Sequence, residues 1–387
     1  MNNFTYSVPT EIYFGRGQVK NLGEIAARYG ASALLVYGGG SIRKNGIYDA
    51  VTAQLKSRSI RFVELPGVEP NPKIASVRKG VQLCRENNLE LVLAVGGGSS
   101  IDCAKIVAAG TCYGGDAWDL VTDSRRIRKA LPIVTVLTMS ATGSEMNGNA
   151  VITNPETNEK LGAHNPLLKP KASILDPEYT FSLPKIQTAA GTADIMSHIF
   201  ESYFNNVPGA FLQARFAESL LKACIHYGPA ALKNSSDYEA RANLMWASSL
   251  AINGLISDGC DVAWSVHAME HELSAFYDIT HGVGLAILTP FWMEHVLNRD
   301  TAGKFAEYGI NVWGLEPSSD PSETAEKAIG KTRAFFKSLG LPSTLREVGI
   351  GEEKLGIMAE KAARHGLKDA FVPLEKDDVL AIFRAAL

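Results

Sequence analysis

The sequence predicts an α/β domain with a parallel sheet over residues 1–184, followed by an all-helical domain over residues 185–387. Three observations support this division. In the first half, short apolar and often β-branched runs alternate with helix-like stretches, as buried parallel strands and their crossover helices do. The runs stop near Pro184, and long Ala-, Leu- and Met-rich stretches take over. The length, 387 residues, suits two domains of ~100–200 residues each.

In chain order, strands are expected at 33–37 (ALLVY), 61–65 (RFVEL), 89–95 (LELVLAV), 131–137 (LPIVTVL) and 172–175 (ASIL), most of them followed by Gly, Pro or Asn. Helices are expected between them at 74–88 and 99–110. The second half reads as helices at 186–206, 210–232, 237–256, 262–276, 283–298, 321–339 and 351–365. Pro184, Pro208-Gly209 and Gly228-Pro229 mark their boundaries and breaks.

Composition removes several function classes. Apolar residues at 46% and charged residues at 20% exclude wholesale disorder. A formal charge of −3 offers no basic excess for nucleic-acid phosphates, so no nucleic-acid partner is expected. No apolar run reaches the ~18 residues of a spanning helix, so no membrane partner is expected either. The opening Met1–Tyr6 has neither a basic nor an apolar leader pattern. Five cysteines, odd in number and without a CxxC, read as free thiols of a reducing cytoplasm.

Glycines cluster where the expected strands end. Leu91–Val95 runs into Gly96-Gly97-Gly98-Ser99, and a helix-like segment follows. That order lets backbone N–H groups and a helix N-terminus approach a phosphate. It departs from GxGxxG because Ile101 stands where the third glycine belongs, so the half reads as a variant Rossmann, dinucleotide-binding domain. The 33–37 strand enters a second such loop, Gly38-Gly39-Gly40-Ser41, followed by Arg43 and Lys44. An acid near this point binds the ribose 2′-hydroxyl of NAD, and a cation accommodates the 2′-phosphate of NADP. No acid lies between Ala31 and Tyr48, so the balance favours NADP(H) or at least tolerates it alongside NAD(H). A third loop, Thr138–Glu145, offers four small hydroxyls at a strand end.

The histidines carry the second signal. Asp194 and His198 are spaced i, i+4 on one helix face, and His267 and His271 repeat the spacing, with His281 at the following turn. One carboxylate with three of these imidazoles is a ligand set for one borderline divalent metal such as Fe²⁺ or Zn²⁺. No Lys or Arg lies within 186–214 or 242–298, while Asp258, Asp261, Glu270, Glu272, Asp278 and Glu294 do. That field favours a bound cation and argues against a phosphorylated or carboxylated substrate. The expected substrate is small and neutral.

Asp194-xxx-His198, His267-xxx-His271 and His281 behind a GGGS-containing α/β half resemble the iron-containing (group III) alcohol dehydrogenases. The likeness spans essentially the whole chain. It includes 9–15 (PTEIYFG), 69–72 (EPNP), 96–105, 141–145 (ATGSE) and 175–177 (LDP). Within the family, 37–41 and 238–255 look most like the NAD(P)H-dependent butanol dehydrogenases.

The resemblance implies that Asp194, His198, His267 and His281 are the metal ligands and that His271 stands beside the nicotinamide and substrate as the candidate catalytic residue. It implies that Gly38, Gly39, Gly40, Ser41 and Asn71 line the adenosine side and that Gly97, Gly98, Ser99 and Asp102 hold the diphosphate. Thr138, Ser140, Thr142, Asn147 and Lys160 would line the remainder. Members using NAD alone tend to carry Asp in the first glycine loop, where this chain has Gly39. The implied activity is hydride transfer between NAD(P)H and a small aldehyde or primary alcohol such as butanal and butanol, in a homodimer. Glycerol dehydrogenase and dehydroquinate synthase share the architecture. The latter needs cations for its substrate, against the Lys/Arg gaps. A non-catalytic nucleotide-binding protein would need only the glycine loops.

Overall fold

The structure, a computed structural model, describes residues 1–364 and 366–387. His365, in the last turn of the expected 351–365 helix, lies outside the described residues. The chain folds into two compact units: Ser7–Leu183 with Ser235–Ser249, and Met1–Tyr6 with Pro184–Asn234 and Leu250–Leu387.

The first unit is built on strands β1 (Glu11–Phe14), β2 (Ser32–Tyr37), β3 (Arg61–Leu65), β4 (Leu91–Gly96), β5 (Ile133–Leu137), β6 (Asn149–Asn154), β7 (Glu159–His164) and β8 (Ala172–Leu175). Six of them form one parallel sheet in the order β1-β8-β5-β4-β2-β3, and β6 and β7 form an antiparallel pair. Helices α1 (Leu22–Ala27), α2 (Ser41–Lys44), α3 (Ile47–Ser57), α4 (Ile74–Glu86), α5 (Gly98–Thr111) and α6 (Trp118–Thr122) complete it. Successive residues of a strand face opposite sides. Leu34 and Val36 of β2 therefore enter one core with Val92 and Ala94, while Ala33, Leu35 and Tyr37 enter another with Leu91, Leu93 and Val95. Both faces are covered, which is why these strands read as continuous apolar runs.

All five expected strands are present. β1 and the β6–β7 hairpin are additional. Their sequences (EIYF, NAVITN, EKLGAH) are half-polar because β1 is an edge strand and the hairpin is partly exposed. β2 and β4 are neighbours from which the chain departs in opposite directions, to β3 and to β5. Ligands of open α/β sheets bind beyond the carboxyl ends of strands at such a switch point. The two glycine loops, Gly38–Gly40 and Gly96–Gly98, follow β2 and β4.

Two segments depart from a division at 184. Residues 235–249 join the sheet unit because Met245 packs in its core, Trp246 meets Phe14 edge-on at 5.8 Å, and Arg16 sits 4.1 Å from the Tyr238 ring centroid. Residues 1–6 join the helical unit, where Asn2 N–H donates to Gly259 O at 3.0 Å and Asn2 Nδ2 to Asp261 at 2.8 Å.

The second unit contains α7 (Lys185–Tyr203), α8 (Phe211–Lys233), α10 (Ser265–Tyr277), α11 (His281–Val296), α12 (Ala302–Trp313), α13 (Pro321–Ser338), α14 (Leu355–Ala362) and α15 (Lys376–Ala385); α9 (Tyr238–Ala251) precedes α10. α8 runs through Pro229, so the break expected at Gly228-Pro229 does not occur. Gly228 instead lets α7 approach: a Cβ there would lie 2.8 Å from Thr192 Cγ2. The helices α12 and α15 go beyond the expected set. Gly303 and Gly309 dilute the helical signal of α12, whereas α15 carries a legible capping box, Glu375 with Asp378.

Candidate metal centre and cofactor loops

The helical unit gathers the expected acid and imidazoles from three helices. α7 supplies Asp194 and His198, α10 supplies His267 and His271, and α11 begins at His281. One ligand atom from each of Asp194, His267 and His281 lies within 4.8 Å of the others. His281 Nε2 and His198 Nδ1 are each 3.7 Å from Asp194 Oδ1. His198 adjoins the trio, its ring stacked on His267 with centroids 4.7 Å apart. His271 is half-buried, with its ring 5.6 Å from His281 and 6.3 Å from His267.

Close packing brings α11 to α7. A Cβ on Gly282 would lie 2.1 Å from Ala190 O, one turn before Asp194, so only glycine allows the adjacent His281 to reach the acid. Gly282→Ala is expected to cost about 1–3 kcal/mol of stability through overpacking. It should also weaken metal binding. Thermal unfolding of the metal-free protein and metal titration check the two effects. An unchanged unfolding temperature would show that the helices can separate without penalty.

Two carboxylates that the sequence reading did not assign support the imidazoles. Glu201, one turn beyond His198 on α7, accepts the backbone N–H groups of Ser265 (2.8 Å), Val266 (2.8 Å) and His267 (3.0 Å). It also accepts from His267 Nδ1 at 3.0 Å. These are the otherwise unsatisfied donors at the start of α10. Glu270, fully buried, accepts from His281 Nδ1 and Ser274 Oγ. The Asp194–His198–Glu201 spacing was a signal that could have found Glu201. For Glu270 the signal was an acid next to His271. Trp264 precedes α10 in the left-handed region (φ 54°) and packs edge-on against His267 and His198.

The chemistry of this donor set fits a divalent metal. His267 Nε2 is buried without a hydrogen-bond partner among the described residues, on a ring whose other nitrogen is taken. The charge gap along the chain is narrower in space, because Lys361 of α14 comes within 3.9 Å of Glu272.

In the sheet unit, the glycines beyond β4 answer to close approach. None of Gly96, Gly97 and Gly98 has a positive φ. A Cβ on Gly98 would lie 2.4 Å from Thr142 Oγ1, and one on Gly97 would lie 3.1 Å from Met139 Cβ. The second glycine loop and the hydroxyl loop are thus pressed together. Gly97, Ser99, Thr138, Ser140 and Thr142 are half-buried, and Gly39 and Ser41 are exposed. Asn71, Asp102, Asn147 and Lys160 are buried.

Asp102 and Asn147 support this surface from within. Asp102 accepts from Ser144 Oγ at 2.5 Å and from Val151 N at 2.9 Å. Asn147 donates to Gly143 O at 2.8 Å and accepts from Lys105 Nζ at 3.0 Å. These internal bonds engage both carboxylate oxygens of Asp102 and the side-chain amide of Asn147 within the fold. Lys105 is fully buried and also donates to Ser144 Oγ (2.8 Å) and Asn149 O (2.6 Å). Burial holds its ammonium down to about 8 against the attraction of Asp102 and Glu145, and burial pushes both carboxyls up.

At the first glycine loop, Arg43 is engaged. Its guanidinium pairs with Glu64 of β3 at 2.6 Å, donates to Tyr37 Oη at 2.6 Å and covers the Tyr48 ring. An acid therefore reaches this end of the loop from β3, 16 residues beyond Tyr48.

Residues 9–177 match the family model "Iron-containing alcohol dehydrogenase", and residues 188–387 match "Fe-containing alcohol dehydrogenase family, C-terminal". The chain belongs to the iron-containing alcohol dehydrogenases. It is 60% identical to the NADH-dependent butanol dehydrogenase A of Clostridium acetobutylicum over 99% of both chains. It is 39% identical to the NADPH-dependent aldehyde reductase YqhD of Escherichia coli over 95% of this chain and 94% of that one. The crystal structure of a Thermotoga maritima NADH-dependent butanol dehydrogenase A superposes with a TM-score of 0.94 at 41% identity, covering 100% of this chain and 99% of that one. The family membership makes this chain an NAD(P)H-linked alcohol dehydrogenase that uses a divalent metal. No helix among the described residues is long and apolar enough to cross a membrane.

Proposed function

We propose that this enzyme interconverts a small neutral aldehyde, such as butanal, and its primary alcohol, with Asp194, His198, His267 and His281 holding the metal. The observation that carries the assignment is the convergence of Asp194, His267 and His281. A bound divalent cation supplies Lewis-acid polarisation of a carbonyl oxygen, and the nicotinamide supplies hydride. The protein's part is to fix these groups. Gly38, Gly39, Gly40, Ser41, Asn71, Gly97, Gly98, Ser99 and Asp102 would receive the adenosine and diphosphate, and Thr138, Ser140, Thr142, Asn147 and Lys160 the rest of the cofactor. His271, half-buried beside His281, would hold or move the proton at the substrate oxygen through a ring nitrogen.

The Arg43–Glu64 pair supports NADH as the preferred cofactor, because Arg43, one of the two cations that follow this loop, is already engaged by an acid. The names of two relatives, at 60% and 57% identity, also specify NADH. Free Cys84, Cys103 and Cys224 in the core support a reducing compartment such as the cytoplasm.

The test is oxidation of NADH and NADPH by butanal, followed at the nicotinamide absorbance after the chelated protein is reloaded with Fe²⁺ or Zn²⁺. The expected result is activity restored by metal and higher with NADH. Undiminished activity in the chelated protein would overturn the metal assignment. A clear preference for NADPH would overturn the role given to Glu64.

A further inference from the structure

We infer that Glu201 and Glu270 form an outer carboxylate pair that sets the metal affinity of the centre by gripping the Nδ1 atoms of His267 and His281. This rests on the ligand assignment proposed above. An ionised carboxylate can only accept from an imidazole, so each contact places a proton on Nδ1, and in the metal-binding neutral ring the lone pair is then on Nε2. His267 Nε2 is the nitrogen left without a partner, and His281 Nε2 is the one 3.7 Å from Asp194 Oδ1. In both rings the nitrogen that the carboxylate leaves is Nε2.

Each carboxylate is itself locked. Glu201 is held by three backbone N–H groups at the start of α10, so its position follows the helix that carries His267. Glu270 is held by Ser274 Oγ, and a Cβ on Gly284 would lie 2.8 Å from Glu270 Cγ, so a bare α-carbon on α11 makes its room. The two acids come from different helices, α7 and α10, and each grips a ring carried by another: Glu201 of α7 the His267 of α10, Glu270 of α10 the His281 of α11. Glu201 and Glu270 are 5% and 0% exposed, and with Asp194 they place three buried acids around the imidazoles. A divalent cation compensates such an arrangement. The two residues are positioning residues, since they act through the imidazoles.

The experiment measures Co²⁺ affinity of the chelated full-length protein by competition with a chromophoric chelator, along with the visible Co²⁺ spectrum and the unfolding temperature of the metal-free form. Glu201→Gln and Glu270→Gln are each expected to weaken Co²⁺ binding ~10–100-fold and to alter the spectrum. Binding within about three-fold of wild type in both variants would overturn the inference. So would a loss confined to the metal-free unfolding temperature, which marks a merely structural role. Should the glutamine variants fail to fold, Ser274→Ala keeps both acids and removes only the hydroxyl on Glu270. It should weaken Co²⁺ binding about five-fold, and unchanged binding there also counts against the pair. Asp194→Ala separates the two levels. If it retains Co²⁺, the ligand assignment itself fails. If it loses Co²⁺ while the glutamine variants bind normally, only the outer pair fails.

Discussion

Asp194→Ala is expected to leave the enzyme without metal and to lower turnover by ~10³-fold or more. Asp194 is the one carboxylate in the converging trio, 3% exposed, and both His198 and His281 place a ring nitrogen 3.7 Å from it. Its removal takes away the only anionic ligand and leaves imidazoles that must hold a cation with no charge of their own. Loss of a Lewis acid removes several kcal/mol of transition-state stabilisation, and each 1.4 kcal/mol is about a tenfold in rate. Elemental analysis of the purified variant and NADH oxidation by butanal are the measurements. A metal-replete, active Asp194→Ala enzyme would refute the assignment of this site.

His271→Ala is expected to keep the metal and slow turnover ~10²–10⁴-fold, the range a positioned proton-transfer group contributes. His271 shares its helix face with His267, one turn on, and is not part of the trio of Asp194, His267 and His281; its ring groups instead with Glu270 and His281, within 4.8 Å of both. Like His281, it is half-buried, whereas Asp194, His198 and His267 are buried, and a group that meets a substrate must be reachable. Metal content equal to wild type with a depressed kcat supports the role. An emptied metal site would make His271 a ligand instead, and unchanged kcat would remove it from the reaction.

The sheet was legible because β2, β4, β5 and β8 are buried along their whole length and leave an unbroken apolar trace, and the fifth expected run became the edge strand β3. β1 and the hairpin left no such trace, since each keeps one side towards solvent or a polar neighbour. The imidazoles were legible through the i, i+4 spacing, which puts two side chains on one helix face before any tertiary contact exists. Glu201 and Glu270 were equally present in the sequence, but nothing in their spacing says that one meets the start of α10 and the other the start of α11. The pairing of Arg43 was hidden for the same reason. Its partner Glu64 is 21 residues away and arrives only because β3 pairs with β2 in register, Leu35 opposite Glu64.

Local sequence thus determined the elements, the switch-point glycines and the residue types able to bind a metal, because periodicity and turn chemistry act over a few residues. Tertiary packing decided which atoms meet. Glycine at 282 lets α11 close on α7, β3 delivers an acid to Arg43, and two buried carboxylates take the Nδ1 atoms of His267 and His281, leaving His281 Nε2 towards Asp194. Charge neutralisation and hydrogen-bond direction are properties of distances in space, and separations along a chain do not encode them.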